Sequence, residues 1–209
     1  MRPFTDEYEK LLNQLSSSDV DERRRALARV DAFGTRRAVP LLLKALRDPD
    51  DECRLIAASL LGSKQDARIV RQVQDLIDKE PNCGNRLWMR VVIVGCGFVD
   101  MIPDLADDIG CVDEAMGGHK NWAEATALAQ CLAGVSETGE PAICEMTRHA
   151  NPVVRWIAVM ALSQNLSRDS MNAIAACETD EDPQVCETAQ DVRDGFVRDL
   201  YAPTERRAG

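Results

Sequence analysis

TRRAVPLLLKALRDPDDECRLIAASLLG, residues 35–62, holds two runs of helical periodicity around one sharp break. Val39, Leu42, Leu43 and Leu46 fall on one face of a first helix, and Leu55, Ala58, Ser59, Leu61 and Gly62 fall on one face of a second. Between them, Asp48 is placed to cap the second helix, with Pro49 at its first position, where a missing N–H costs nothing. A helix pair of this size cannot bury its apolar stripe alone, so it must stack on copies of itself. The stretch therefore predicts an all-α fold, an α-α superhelix of repeated helical hairpins.

Degenerate copies recur on both sides. Thr5 is expected to cap an opening helix that runs through Leu15. Asp19 with Glu22 reads as a capping box for a helix carrying Ala26, Leu27, Val30 and Phe33, which Gly34 stops. Asp66 to Lys79 is amphipathic, with Ile69, Val70, Val73, Leu76 and Ile77 on one side. Aligning the second-helix anchors Pro40, Ile69, Pro103, Pro141 and Asn172 gives steps of 29, 34, 38 and 31 residues. Asp48-Pro49, Asn151-Pro152 and Asp182-Pro183 read as one cap written three times. About five hairpins and a closing helix from Pro183 to Leu200 follow, forming a single domain over 1–201 with a frayed tail over 202–209.

Composition agrees. The 209 residues are 45% apolar and only 4% aromatic, which favours close helix packing through small side chains. The longest apolar run, VVIVGCGFV before Asp100, is too short to span a bilayer. The opening MRPFTDEYEK lacks the apolar core of a signal peptide, so a cytoplasmic location with no membrane role is expected. Eight cysteines without a C-x-x-C pair read as reduced, mainly buried structural thiols.

ALRDPDDECRLIAASLLG and HANPVVRWIAVMALSQN resemble HEAT repeats of the short kind found in phycobilisome-lyase-type proteins. The shared pattern is an acidic or Asn cap, Arg54 or Arg155 in the first turn, Ala57 or Ala158, and a Val/Ile-Pro opening of the second helix. The match is good over 19–79 and 150–190 and weak over 82–149. In HEAT-like proteins such arginines, here Arg24, Arg54 and Arg155, pair with acidic residues along the stack.

Few residues suggest chemistry. His119 lies in a Gly-rich loop, and His149 is read as a cation at a helix end. Neither belongs to H-E-x-x-H or to the His-Glu pairs of di-iron HEAT-repeat hydroxylases. Gly95-Cys96-Gly97 reads as a helix end rather than a phosphate cradle. Trp88, Trp122 and Trp156 recur at a repeat-like interval and are read as core packing before an exposed aromatic ladder. No catalytic residue, metal site or cofactor is expected.

Charge is asymmetric. Residues 19–79 carry 13 Lys/Arg against 11 Asp/Glu, whereas 100–200 carry 6 against 19. The formal charge of −10 opposes binding to a phosphate backbone, making nucleic acid an unlikely partner. The sequence reading is a non-enzymatic scaffold that binds a protein on the concave, second-helix surface. That surface is expected to run from basic (Arg37, Lys44, Arg68, Arg71) to acidic (Asp104, Asp107, Asp108, Glu145) and to receive a partner with a basic patch. The loop Gly110–Lys120 is expected beside it. The resemblance implies an alternative, a bilin-lyase-like subunit acting on phycobiliproteins.

Overall fold

The computed structural model describes residues 3–64, 66–118 and 124–201, and among them every regular element is helical. The chain divides into two compact units, Met1–Val112 and Asp113–Gly209. The first contains α1 (Pro3–Gln14), α2 (Val20–Val30), α3 (Thr35–Ala45), α4 (Asp51–Gly62), α5 (Val70–Ile77), α6 (Cys83–Gly95) and nearly all of α7 (Ile102–Ala115). The second contains α8 (Ala125–Gly134), α9 (Ser136–Met146), α10 (Pro152–Leu162), α11 (Arg168–Ala176) and α12 (Pro183–Tyr201). Five hairpins, α2–α3 through α10–α11, lie between an opening and a closing helix. The expected tail over 202–209 lies outside the described residues.

First helices stack on first helices. In the first unit α2 packs on α4 and α4 on α6; in the second, α8 packs on α10 and α10 on α12. The apolar stripes meet in a core holding Leu27, Leu42, Ala57, Leu61, Val73, Met89 and Ile93, each fully or almost fully buried. Each large side chain so enclosed contributes about 1.5–3 kcal/mol relative to exposure. Small residues at the contacts, Ala57, Ala58 and Ala158, are wholly buried and let the stacked helices approach closely.

Several local expectations are corrected. The cap of α4 is Asp50, whose side chain accepts from Cys53 N, while Pro49 stays in the turn. Asp48 is occupied two residues earlier, accepting from Asp50 N and from Arg23. Asn151 does cap α10 with Pro152 at its start, and Asp182 accepts from Gln184 N at the start of α12. The buried face of α4 is Cys53, Ala57, Ala58 and Leu61; Leu55 is half-buried and Ser59 exposed, because the true start of the helix rotates the stripe. α1 begins before Thr5, and Gly34 is the N-cap of α3 rather than a stop for α2. Asp19 caps α2 through Asp21 N.

Pro40 and Pro141 lie inside α3 and α9 instead of opening them. Both are exposed, so solvent can satisfy the carbonyl that each proline leaves without its helical donor. Gly110–Ala115, read as loop, continues α7; Gly110 and Asp113 are buried and keep the helical period going. Only the turn at Met116–Gly118 is described beyond it, with Gly117 and Gly118 at positive φ. Gly95 ends α6 as expected, and Gly97 follows at φ +91°.

Candidate functional site: the arginine ladder and the second-helix faces

One polar device is repeated at the first-helix starts. The residue two before the cap accepts the cap's own N–H: Asp48 from Asp50 at 2.9 Å, Glu80 from Asn82 at 3.1 Å, Asp180 from Asp182 at 2.9 Å. Four residues after the cap, an arginine turns back to the carbonyls that precede it. Arg54 Nη1 donates to Asp48 O and Pro49 O, and Arg155 Nη1 to His149 O and Ala150 O. The rest of each guanidinium reaches the carboxylate at the next repeat's start. Arg23 grips Asp48 at 2.8 and 2.9 Å, Arg54 grips Glu80 at 2.6 and 3.0 Å, and Arg155 grips Asp180 at 2.8 and 2.7 Å.

These fork-to-fork pairs are well enclosed; the Arg155 and Asp180 side chains are 8% and 10% exposed. Burial pushes the Glu80 and Asp180 carboxyls up, but the arginine and amide donors outweigh it and hold both below their ordinary values. Arg24 forms a parallel outer rung to Asp50 and Glu52, and its hydrogen bonds lower Asp50 to about 2. The expected ladder is therefore present, and Arg23 and Arg86 belong to it as well. Their signal in the sequence was the shared place four residues after a cap.

The predicted partner-binding residues separate. Arg37 and Arg71 are exposed on α3 and α5. Lys44 is exposed and donates to Ser16 Oγ at 2.7 Å. Arg68 is 80% exposed but forks onto Asp66, the cap of its own turn. On α7, Asp107 is exposed and Asp104 half-buried, 3.9 Å from Arg90 Nε. Asp108 is not a surface residue. Its side chain is 6% exposed, bonded to Arg86 Nε at 3.1 Å and to Arg90 Nη1. The sequence reading treated three nearby carboxylates as one solvated face, but the α6–α7 register sends the third inward onto two cations. Glu145 lies in the second unit, exposed and paired with Arg148.

The first unit carries a groove of about 870 Å³ between α3, the turn after α1 and the turn before α4. Pro40, Leu43, Pro49 and Gln72 line it together with Lys44 and Arg47. Arg37, Pro40 and Lys44 share one face of α3. Arg47 donates to the Leu43 carbonyl and Lys44 to the Ser16 hydroxyl.

The remaining candidates are structural. Trp88 packs against the first unit's core, and Trp156 Nε1 donates to Thr188 Oγ1. Trp122 and His119 lie outside the described residues. His149 Nδ1 receives Asn151 N at 3.1 Å. All eight cysteines are free thiols; Cys53 and Cys177 are buried, five are half-buried and Cys111 is exposed, so the expectation of mainly buried thiols is too broad. Among the described residues no group of three or more His, Cys, Asp or Glu is placed to hold a metal, and no helix is long and apolar enough to cross a membrane.

Comparison with known proteins places these features. No curated protein matches the chain. Among solved structures, it is similar to human deoxyhypusine hydroxylase in complex with glycerol, at 16% identity and a TM-score of 0.43, covering 92% of this chain and 96% of that one. It is also similar to a designed armadillo repeat protein in complex with the peptide (KR)4, at 15% identity and a TM-score of 0.47, covering 90% and 98%. An engineered protein matches at 15% identity and a TM-score of 0.46, covering the same shares. The family model described as HEAT repeats matches residues 8–89, the stretch that contains the Arg23 and Arg54 rungs. Over residues 8–89 this chain is therefore similar to HEAT-repeat proteins.

Proposed function

We propose that this chain is a non-enzymatic scaffold that holds a protein partner on the second-helix side of its Met1–Val112 unit. Stacked repeats of this class commonly serve as protein-binding scaffolds, because stacking consumes the apolar stripes and leaves polar faces for recognition. The observation that carries the reading is the groove beside α3. Its lining is apolar at Pro40, Leu43 and Pro49, and its cations Lys44 and Arg47 are bonded to a hydroxyl and a carbonyl. Arg37 continues the positive stripe along α3. The partner that suits this groove is an extended segment with acidic side chains flanking an apolar one. The basic-patch partner expected from the sequence loses its main support, since Asp108 is already neutralised by Arg86 and Arg90.

A peptide-display library selected on the full chain tests this. Enriched sequences should carry Asp or Glu around an apolar residue, bind more weakly as salt rises, and lose most affinity to the Lys44→Glu/Arg47→Glu variant. Enrichment of Lys and Arg, with binding lost to Asp104→Lys/Asp107→Lys instead, would return the site to the acidic face of α7.

A further inference from the structure

The α6–α7 hairpin has a simple register. Arg86 meets Asp108, and one turn further along α6, Arg90 bonds the same Asp108 and lies 3.9 Å from Asp104, one turn back along α7. Moving forward on α6 means moving backward on α7, as antiparallel helices require. One turn before Arg86 stands Cys83, the first residue of α6, and one turn after Asp108 stands Cys111. The register thus sets the two cysteines opposite each other at the end of the hairpin, beyond the Arg86–Asp108 pair. Their thiols do interact: Cys111 is raised above its ordinary value first by hydrogen bonding with Cys83, then by burial, with Arg86 and Asp108 acting on it in opposite directions. Cys111 is exposed and Cys83 half-buried, so reagents in solution reach the pair. Nothing in the ladder or the groove uses either residue.

We propose that Cys83 and Cys111 form a thiol–disulfide exchange site for low-molecular-weight disulfides, closing reversibly into a Cys83–Cys111 bond across the α6–α7 hairpin. Cys83 is the attacking sulfur. It stands at the first position of α6, beside backbone N–H groups that have no helical acceptor. The Cys83 thiolate attacks one sulfur of the reagent RSSR, forming Cys83–S–SR and expelling RS⁻, which takes up the proton that Cys83 lost. Cys111 then gives up its proton and attacks the Cys83 sulfur, expelling the second RS⁻, which leaves as RSH. Two protein thiols are oxidised and one RSSR is reduced to two RSH. The new bond locks the open end of the hairpin without disturbing the core.

The test uses the reduced full chain incubated with glutathione disulfide, blocked with an alkylating agent and mapped by mass spectrometry. A Cys83–Cys111 cross-linked peptide is expected, reversed by dithiothreitol and accompanied by a raised melting temperature. Cys111→Ser should instead accumulate a stable glutathione adduct on Cys83, because the second displacement is removed; circular dichroism confirms that the variant is folded. Adducts on both cysteines without the cross-link, a cross-link to a different cysteine, or no reaction at Cys83 would each overturn the proposal. None of these outcomes depends on the scaffold reading.

Discussion

The two units solve the same packing problem differently at one rung. In Met1–Val112, every first helix carries an arginine four residues after its cap: Arg23, Arg54 and Arg86. In Asp113–Gly209, α10 keeps Arg155, but α8 has the wholly buried Leu128 in the corresponding place. The acceptor slot changes with it. Two residues before the α10 cap stands His149, whose Nδ1 accepts from Asn151 N, where Asp48, Glu80 and Asp180 occupy the equivalent positions. Beside it the Asn151 side chain donates to the buried Asp113 carboxylate at 3.0 Å. A buried charge is tolerated only with its partner, and an apolar residue in the arginine's place is the other stable solution.

The largest effect should come from forcing the first solution into the second's place. Leu128→Arg puts a larger, charged side chain into a wholly buried site, and should destabilise by about 4 kcal/mol or more. A denaturant titration with an unchanged midpoint would break the comparison. The converse, Arg155→Leu, strands Asp180 and should cost roughly 3–5 kcal/mol. Adding Asp180→Asn keeps an acceptor for Asp182 N and removes the charge. The double variant should recover a large part of that loss, and strict additivity in the cycle would show that the two residues are not one unit.

Acid separates the units more gently. Asp50, Asp66 and Glu80 in the first unit, and Asp180 in the second, are held below their ordinary values by arginine and amide donors. A carboxyl depressed on folding adds stability above its unfolded value, and that contribution fades as pH falls through its folded value. Stability should therefore decline from about pH 4 toward pH 2, with the Asp50 contribution, held at about 2, fading at the acid end of that range. Hydrogen exchange at pH 3 against pH 7 should show more lost protection in α2–α6 than in α10–α12; the reverse order would mean that other groups govern acid unfolding. The smallest effect belongs to the groove. Lys44→Glu with Arg47→Glu should move stability by no more than about 0.5 kcal/mol per site, since both are exposed. A large thermal shift would make them structural and remove them from the partner surface.

The sequence by itself determined the helices, their pairing into hairpins and the repeated cap chemistry. Apolar spacing along Leu27–Val30 or Val70–Ile77, and caps such as Asn151-Pro152, act within a few residues and survive in any context that keeps the chain helical. It also singled out Arg54 and Arg155 as rungs. Tertiary structure decided which carboxylate each rung takes, 22 to 26 residues away, and which of two nearby aspartates, Asp48 or Asp50, caps α4. It decided that Asp107 faces solvent while Asp108 is sealed under two arginines, and that Cys83 stands opposite Cys111. Along one helix, polar residues at neighbouring positions look alike. Only the register of the facing helix supplies the opposite charge and the exclusion of water that make one of them a buried ion pair and leave the other on the surface.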